Sequence, residues 1–494
     1  MEPGLNLTPR LLRLFVVAIF VPSPTWTAAQ DGDALKPYIK EASPVLVLEH
    51  VRLIDGTGAA PKEDQRIDIE SGKITQVQDA SPNRAHPSKA KVLDLSGKTV
   101  IPGLVGMHEH LFYPAPHGGP PRLQLWVEMA DSAPKLYLAG GVTTARTAGS
   151  VEPYTDLSLK AMIDAGQIPG PKLYITGPYL GGYLGRAPQM HTLTGSDDAA
   201  RTVDYWAAEG VTSFKAYMDI KPDELKTAIE HAHAKGLKVT GHLCAVGFRE
   251  AAALGIDNLE HGIVVDSEFF PEKKPGICPD GADEGLPKNV QIDSAPVQQT
   301  IRDLVSHHVA ITSTLAVFEV SVPNRPSLLS QNARNFIRLS EVLTPEALSG
   351  YLLVRNFYAE GNPPDEARLL KMEMQFEREF VKAGGLLLAG CDPTSYGGVV
   401  PGYCDHREVE LLVEAGFTPV EAIHIATQNG AIFLGQDASI GTVAVGKSAD
   451  LVVIAGNPAK NIDDIENVEM VFKDGVGYDP EKLIKSAAGL VGLR

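Results

Sequence analysis

The sequence predicts an α/β protein, a parallel (β/α)8 TIM barrel carrying a small composite β-sandwich domain built from both chain ends. Three observations predict it. In the middle of the chain, apolar β-rich runs alternate eight times with helical patterns, as parallel strands with covering helices require. Short β-textured runs punctuated by glycine occur near both termini, and the ends of a domain commonly lie close together. Histidine, lysine and aspartate close the central runs, at the strand ends where such barrels carry their chemistry. The competing architecture is an open doubly wound sheet, which differs in strand count.

Residues 1–29 read as a secretory signal. Arg10 and Arg13 precede the apolar run 14–21, then come Pro22, Pro24 and the small residues Thr27, Ala28 and Ala29, with cleavage expected after Ala29. A periplasmic or secreted protein is expected, with no stable membrane insertion, because no run reaches the roughly 20 apolar residues of a spanning helix. Cys244, Cys278, Cys391 and Cys404 lack paired zinc-ribbon spacing and are expected free or in at most one bridge. The 494 residues carry a formal charge of −17, which argues against nucleic-acid binding. With 44% hydrophobic and 21% charged residues the composition is that of a globular chain.

Residues 30–99 form the first part of the β domain, with alternating, turn-bounded strands at 45–54, 66–69 and 73–77. Residues 100–436 form the barrel. Its strands are expected at 100–107, 142–147, 172–176, 213–217, 238–242, 258–261, 309–314 and 386–391, with helices such as 222–235 and 419–434 between them. The connections 264–299 and 318–330 are long for a compact fold and are expected to overhang the active-site mouth. Residues 437–494 complete the β domain through strands at 450–455 and 469–472.

The polar residues at strand ends carry the function. His108 and His110 close the first strand, Lys215 lies near the end of the fourth, His242 and His261 end the fifth and sixth, and Asp392 ends the eighth. Any one of them is more often structural than a ligand, and the competing role for Lys215 is a core lysine paired with Asp219 or Glu209. Together they fit a metal centre, since neutral imidazoles and a carboxylate suit zinc-like ions. A buried lysine loses basicity, and its free amine can take up carbon dioxide to become an anionic carbamate able to bridge two metals.

Val-Ile-Pro-Gly-Leu at 100–104 before His108-Glu109-His110, Lys215 within 213–217, His242, Asn-Leu-Glu-His-Gly at 258–262 and Gly-Cys-Asp at 390–392 resemble the amidohydrolase superfamily. Segments 141–144, 412–416 and 446–451 resemble its imidazolonepropionase-like and prolidase-like branch. The resemblance covers nearly everything after residue 29. It implies that His108, His110 and Asp392 hold a buried divalent metal and His242 and His261 a second, with carbamylated Lys215 bridging them; zinc is the expected ion. It further implies a metal-bridging hydroxide as nucleophile, with Asp392 first a general base and then a general acid. Arg146 follows the second strand as the branch expects, but Thr147 stands where an aspartate is usual, and Arg186 and His191 replace a glycine and histidine cluster. These departures fall where substrates are gripped.

Other signals are set aside. Residues 441–448 match the phosphate-loop pattern, but a strand rather than a helix follows. His231 and His233, two residues apart on a helix, point in different directions, and His307 and His308 read as a helix end. Tyr217 shares the face of Lys215, and with His191, Arg186 and His406 it is a candidate substrate contact near the mouth.

The expectation is an exported binuclear amidohydrolase that cleaves C–N bonds of dipeptides or N-acyl amino acids. The alternatives are an ester, lactone or phosphotriester hydrolase on the same site, a one-metal deaminase, or a non-catalytic scaffold. The partner is a small-molecule amide or peptide, and a homo-oligomer is compatible with the sequence.

Overall fold

The computed structural model describes residues 34–80, 85–115, 125–182, 187–282, 285–323, 325, 340–360, 365–394 and 398–492. The signal segment and Arg186 lie outside the described residues. No helix among them is long and apolar enough to cross a membrane.

The central strands form two parallel sheets. Leu104–Glu109, Val142–Thr147 and Lys172–Tyr174 make a three-stranded sheet. Ser213–Ala216, Lys238–Gly241, Asn258–Glu260, Ala310–Ser313 and Leu387–Ala389 make a five-stranded one in chain order. Parallel bridges Thr176↔Ser213 and Leu180↔Ala216 adjoin the third strand to the fourth. At the other side the Asp392 amide donates to the His108 carbonyl at 2.9 Å. Close approach there needs glycine, since a Cβ at Gly390 would lie 2.3 Å from the His108 nitrogen.

The helices bury one stripe each. Pro222–His233 starts with Pro222 at its first position, and Glu224 Oε2 accepts from the Lys221 N–H at 2.9 Å. Its apolar stripe is Leu225, Ala228, Ile229 and Ala232, the spacing that turns one face inward. The helix expected over 419–434 is interrupted. Pro419–His424 passes through a π turn, Ile425–Asn429, before Gly430–Phe433, and Gly430 there packs against Val105 and Met107.

The run expected as one strand over 100–107 is two. Lys98–Pro102 pairs with Leu451–Ala455 and with Val45–Leu53, whereas Leu104–Glu109 pairs in the parallel sheet. The chain changes sheets at Gly103, whose N–H donates to the Asp450 carbonyl, while the Leu104 N–H donates to that of Gly141. A Cβ at Gly103 would sit 2.0 Å from Thr143 Oγ1, so no larger residue fits the turn.

Both chain ends contribute to one nine-stranded sheet, with strands from Ile39–Glu41 to Lys98–Pro102 joined by Leu451–Ala455, Val468–Lys473 and Val476–Tyr478. One hydrogen-bonded path joins these strands. Val45–Leu53 is long enough to pair along one edge with two strands, Lys91–Asp94 and then Lys98–Pro102, which merges them into a single hydrogen-bonded sheet. Its apolar cluster includes Leu46, Leu48, Ile67, Val100, Leu451 and Phe472.

The cysteines also depart from expectation. Cys244 pairs with Cys278 and Cys391 with Cys404, so there are two bridges and no free thiol among the described residues. The first ties the connection 264–299 back to the end of the fifth strand. That connection is also ordered by short helical turns at Gly262–Val265 and Ser267–Phe269. Phe318, expected in a loop, belongs to helix Leu315–Glu319.

Candidate active site

The carboxyl ends of the parallel strands gather the predicted side chains. His108 and His110 are one residue apart on alternate positions of an extended segment, so both project to one side. Their rings lie 5.3 Å apart. His108 is 4.6 Å from the ring of His261, which is 4.5 Å from His242. Asp392 Oδ1 lies 3.1 Å from His110 Nε2 and 3.7 Å from His108 Nε2, and Oδ2 lies 3.8 Å from His261 Nε2. Lys215 Nζ is 3.0 Å from His108 Nε2 and pairs with neither Asp219 nor Glu209. The six side chains expected as ligands therefore occupy one buried cluster.

The backbone is held in uncommon conformations at two of them. His261 has φ 70° and Asp392 φ 53°, in the left-handed region that side chains other than glycine rarely adopt. Thr394 Oγ1 donates to Asp392 Oδ1 at 2.8 Å and steadies the carboxylate. The Tyr137 hydroxyl accepts from the His110 N–H at 3.1 Å and donates to its carbonyl at 2.9 Å, pinning that residue from below.

Burial sets the protonation. It pushes His110 down to about 4 and His242 to about 3, and holds His261 well below the ordinary range. The imidazoles are neutral at pH 7. Burial also lowers the Lys215 ammonium to about 8, so a fraction is free amine at neutral pH. Asp392 is the exception: burial would raise it, but His108, His110 and His261 beside it hold it well below the carboxylate range.

The donor set fits divalent cations. His108 Nδ1 is engaged by Glu260 Oε2 at 2.9 Å and His261 Nδ1 by Thr314 Oγ1 at 2.7 Å. The Glu260 carboxylate can only accept, which fixes the His108 tautomer whose Nε2 lone pair faces the centre, and Thr314 holds the His261 ring in place. His110 Nδ1 is buried with no hydrogen-bond partner. Atoms of His108, His110 and Asp392 lie within 4.8 Å of one another, the spacing of a shared ion.

Several residues fall elsewhere. Tyr217 lies against the cluster, its ring 5.0 Å from His242 and 4.9 Å from Tyr179. His191 is half exposed and pairs with Asp198 at 2.9 Å. His406, expected as a substrate contact near the mouth, is instead buried in helix Tyr403–Glu414, with Nε2 donating to the Gly140 carbonyl at 2.7 Å, because the helix begins directly after Gly402. Arg146 is not free to grip substrate. It is fully buried, with Nη2 2.9 Å from Glu260 Oε1 and Nη1 donating to Thr240 Oγ1 at 3.2 Å. The set-aside histidines are paired on the surface, His231 with Asp204 and His233 with Asp257.

Sequence reading missed Glu260, Thr314 and Tyr137. Glu260 directly precedes His261, and its position in that motif was the available signal. Glu109, between the two histidines, was also passed over. Burial and the neighbouring Asp405 push it well above the carboxylate range, and its Oε1 accepts from the Cys391 N–H at 3.3 Å.

Comparison with known proteins agrees with this geometry. Residues 382–477 match the pattern of the amidohydrolase family. Over 107 residues the chain is 28% identical to the imidazolonepropionase of Parabacteroides distasonis, covering 20% of this chain and only about a quarter, 26%, of that relative. A structure from Bifidobacterium longum assigned as a prolidase is 26% identical, with a TM-score of 0.64 over 88% of this chain and 94% of that one. A Xaa-Pro dipeptidase with methionine in its active site shares the fold, with a TM-score of 0.65 at 20% identity over 88% of this chain and 100% of that one. With its strand-end histidines, lysine and aspartate arranged as above, the chain carries a segment matching the amidohydrolase family and is similar to imidazolonepropionase-like and prolidase-like proteins.

Proposed function

We propose that the protein is an exported binuclear metal-dependent hydrolase of C–N bonds, acting on dipeptides or N-acyl amino acids. The observation that carries this reading is the convergence of four neutral imidazoles, Asp392 and a weakly basic Lys215 in one buried cluster. Such a set of buried imidazoles packed against one another is costly without cations to take their lone pairs.

His108, His110 and Asp392 would hold one cation, His242 and His261 the other, and carbamylated Lys215 would lie between them. The pair would supply a water of lowered pKa and polarise the scissile carbonyl. Asp392 takes the proton of the attacking water at a carboxylate oxygen and then delivers it to the leaving nitrogen. Its neighbours keep it ionised for the first step. Glu260 and Thr314 hold the rings of His108 and His261 in place throughout.

The two parallel sheets read as one (β/α)8 barrel, supported by the bridge Thr176↔Ser213 and the Asp392 to His108 contact at their edges. The sheet shared by both chain ends reads as a small composite domain. Export is supported by the charged, apolar and small-residue order of residues 1–29 and by two disulfides, which persist in oxidising compartments. The similarity to the Bifidobacterium protein supports a peptide substrate.

Turnover of a dipeptide and N-acyl amino acid panel, set beside aryl esters, lactones and a phosphotriester, tests the reading. Preference for the amides supports it; turnover confined to esters or phosphotriesters overturns the bond assignment.

A further inference from the structure

Next to the histidine cluster lies an apolar group separate from the main core, with Phe112, Trp126 and Tyr179 at its centre and Tyr217 packed against it. Two of these come from a short antiparallel ribbon, Phe112–Pro114 with Trp126–Glu128. Phe112 stands directly across from Glu128. Cross-strand partners share a face, and so do alternate residues of one strand. Phe112, Trp126 and Glu128 therefore share one face, while Tyr113 and Val127 turn the other way into the main core. The first face covers the site: the Phe112 ring stacks on His110 at 4.3 Å, and Trp126 meets Phe112 at 5.9 Å. Gln189 fixes the ribbon, accepting from the Trp126 N–H at 2.7 Å and donating to its carbonyl at 3.0 Å.

The polar atoms of this face lack partners. Both carboxylate oxygens of Glu128 are buried without a hydrogen bond, as are Oδ1 of Asp156, a residue only 1% exposed, and the indole Nε1 of Trp126. No lysine or arginine among the described residues pairs with either acid. Burial, then Asp156 and Glu152 nearby, push Glu128 up to about 9, and burial pushes Asp156 to about 7. Two adjacent buried acids without a counter-charge among the described residues are unfavourable, and groups perturbed in this way gather at functional sites.

We propose that Glu128 and Asp156 form a subsite for a cationic group of the substrate, an ammonium or guanidinium held beyond the Phe112 and Trp126 wall while the scissile amide lies at His110 and Asp392. The inference rests on the amide-hydrolase reading and adds a substrate class to it: peptides or N-acyl amino acids bearing a basic side chain. The chain's charge of −17 favours the approach of such substrates.

Two measurements test it. In the first, kcat/KM is compared for dipeptides carrying lysine or arginine and for their norleucine and citrulline counterparts, in wild type, Glu128→Gln and Asp156→Asn. The basic substrates should be preferred by about tenfold or more in wild type, and Glu128→Gln should erase the preference while leaving the neutral substrates within about twofold. Equal turnover of basic and neutral substrates in wild type overturns the subsite. In the second, binding of n-pentylammonium and of neutral n-pentanol to the metal-loaded protein is measured by calorimetry. Ammonium binding that Glu128→Gln and Asp156→Asn both weaken supports the proposal even if no amide is hydrolysed, which would be a failure of the parent reading alone. Absence of ammonium binding, or binding indifferent to both substitutions, marks the two acids as a structural pair sharing a proton.

Discussion

Glu260→Gln isolates the support of the metal centre from the ligands themselves. Glu260 is fully buried and serves two partners, accepting from His108 Nδ1–H at 2.9 Å and pairing with Arg146 at 2.9 Å. A glutamine offers one oxygen and one amide NH2. If the oxygen serves Arg146, the NH2 faces His108 Nδ1, which must then accept. The imidazole proton moves to Nε2, the nitrogen that lies 3.0 Å from Lys215 Nζ and is assigned to the cation. Loss of one partner of a buried ion pair costs about 3–5 kcal/mol. Glutamine keeps the shape and one hydrogen bond, so a destabilisation of about 3 kcal/mol is expected for the metal-free protein. Metal affinity should fall by about 10- to 100-fold, the usual effect of losing a group that orients a ligand. Denaturant titration of the metal-free protein and competition with a graded chelator measure the two effects. Unchanged metal affinity would refute the orienting role of Glu260.

Asp392→Asn should retain the fold yet lose turnover by about 10²- to 10⁴-fold, the contribution of a positioned acid–base group; activity near wild type removes the proton shuttle. Lys215→Ala should be inactive and partly rescued by short carboxylic acids standing in for the carbamate, as read by steady-state rates; activity indifferent to residue 215 ends the bridging role. Because His110 and His242 are held at about 4 and about 3, the unfolded chain binds more protons than the folded one below about pH 6.5. Stability of the metal-free protein should therefore be full above that pH and fall by up to about 1.4 kcal/mol per pH unit for each such histidine as the pH drops toward 4. A flat profile between pH 7 and 4 contradicts the assigned neutral state. Cys244→Ser with Cys278→Ser opens a loop of sequence separation 34, for which chain entropy gives about 4 kcal/mol, checked by the denaturation midpoint under oxidising conditions.

What the sequence disclosed and what it hid have different physical origins. The parallel strands were legible because a buried strand needs a short apolar run between turn signals, so Val142–Thr147 appears where the pattern put it. Residues 100–107 were misread because apolar character continues across Gly103, and only the steric limit against Thr143 shows where the chain changes sheets. The six clustered side chains were legible because each closes a strand run. Glu260, Thr314 and Tyr137 were not, since their roles depend on which ring nitrogen or backbone group they reach in three dimensions. The two disulfides were hidden for the same reason: spacing alone does not say which sulfurs meet. His406 was placed near the mouth by its polarity, whereas the helix start after Gly402 turns it toward Gly140.

Metal stoichiometry joined to reactivation bears on the whole proposal. The purified protein should contain two divalent cations per chain, lose amide turnover when they are stripped by chelation, and regain it when they are restored. His242→Ala should leave a single tightly held ion. A chain that hydrolyses dipeptides at full rate with no metal bound would contradict the proposal outright.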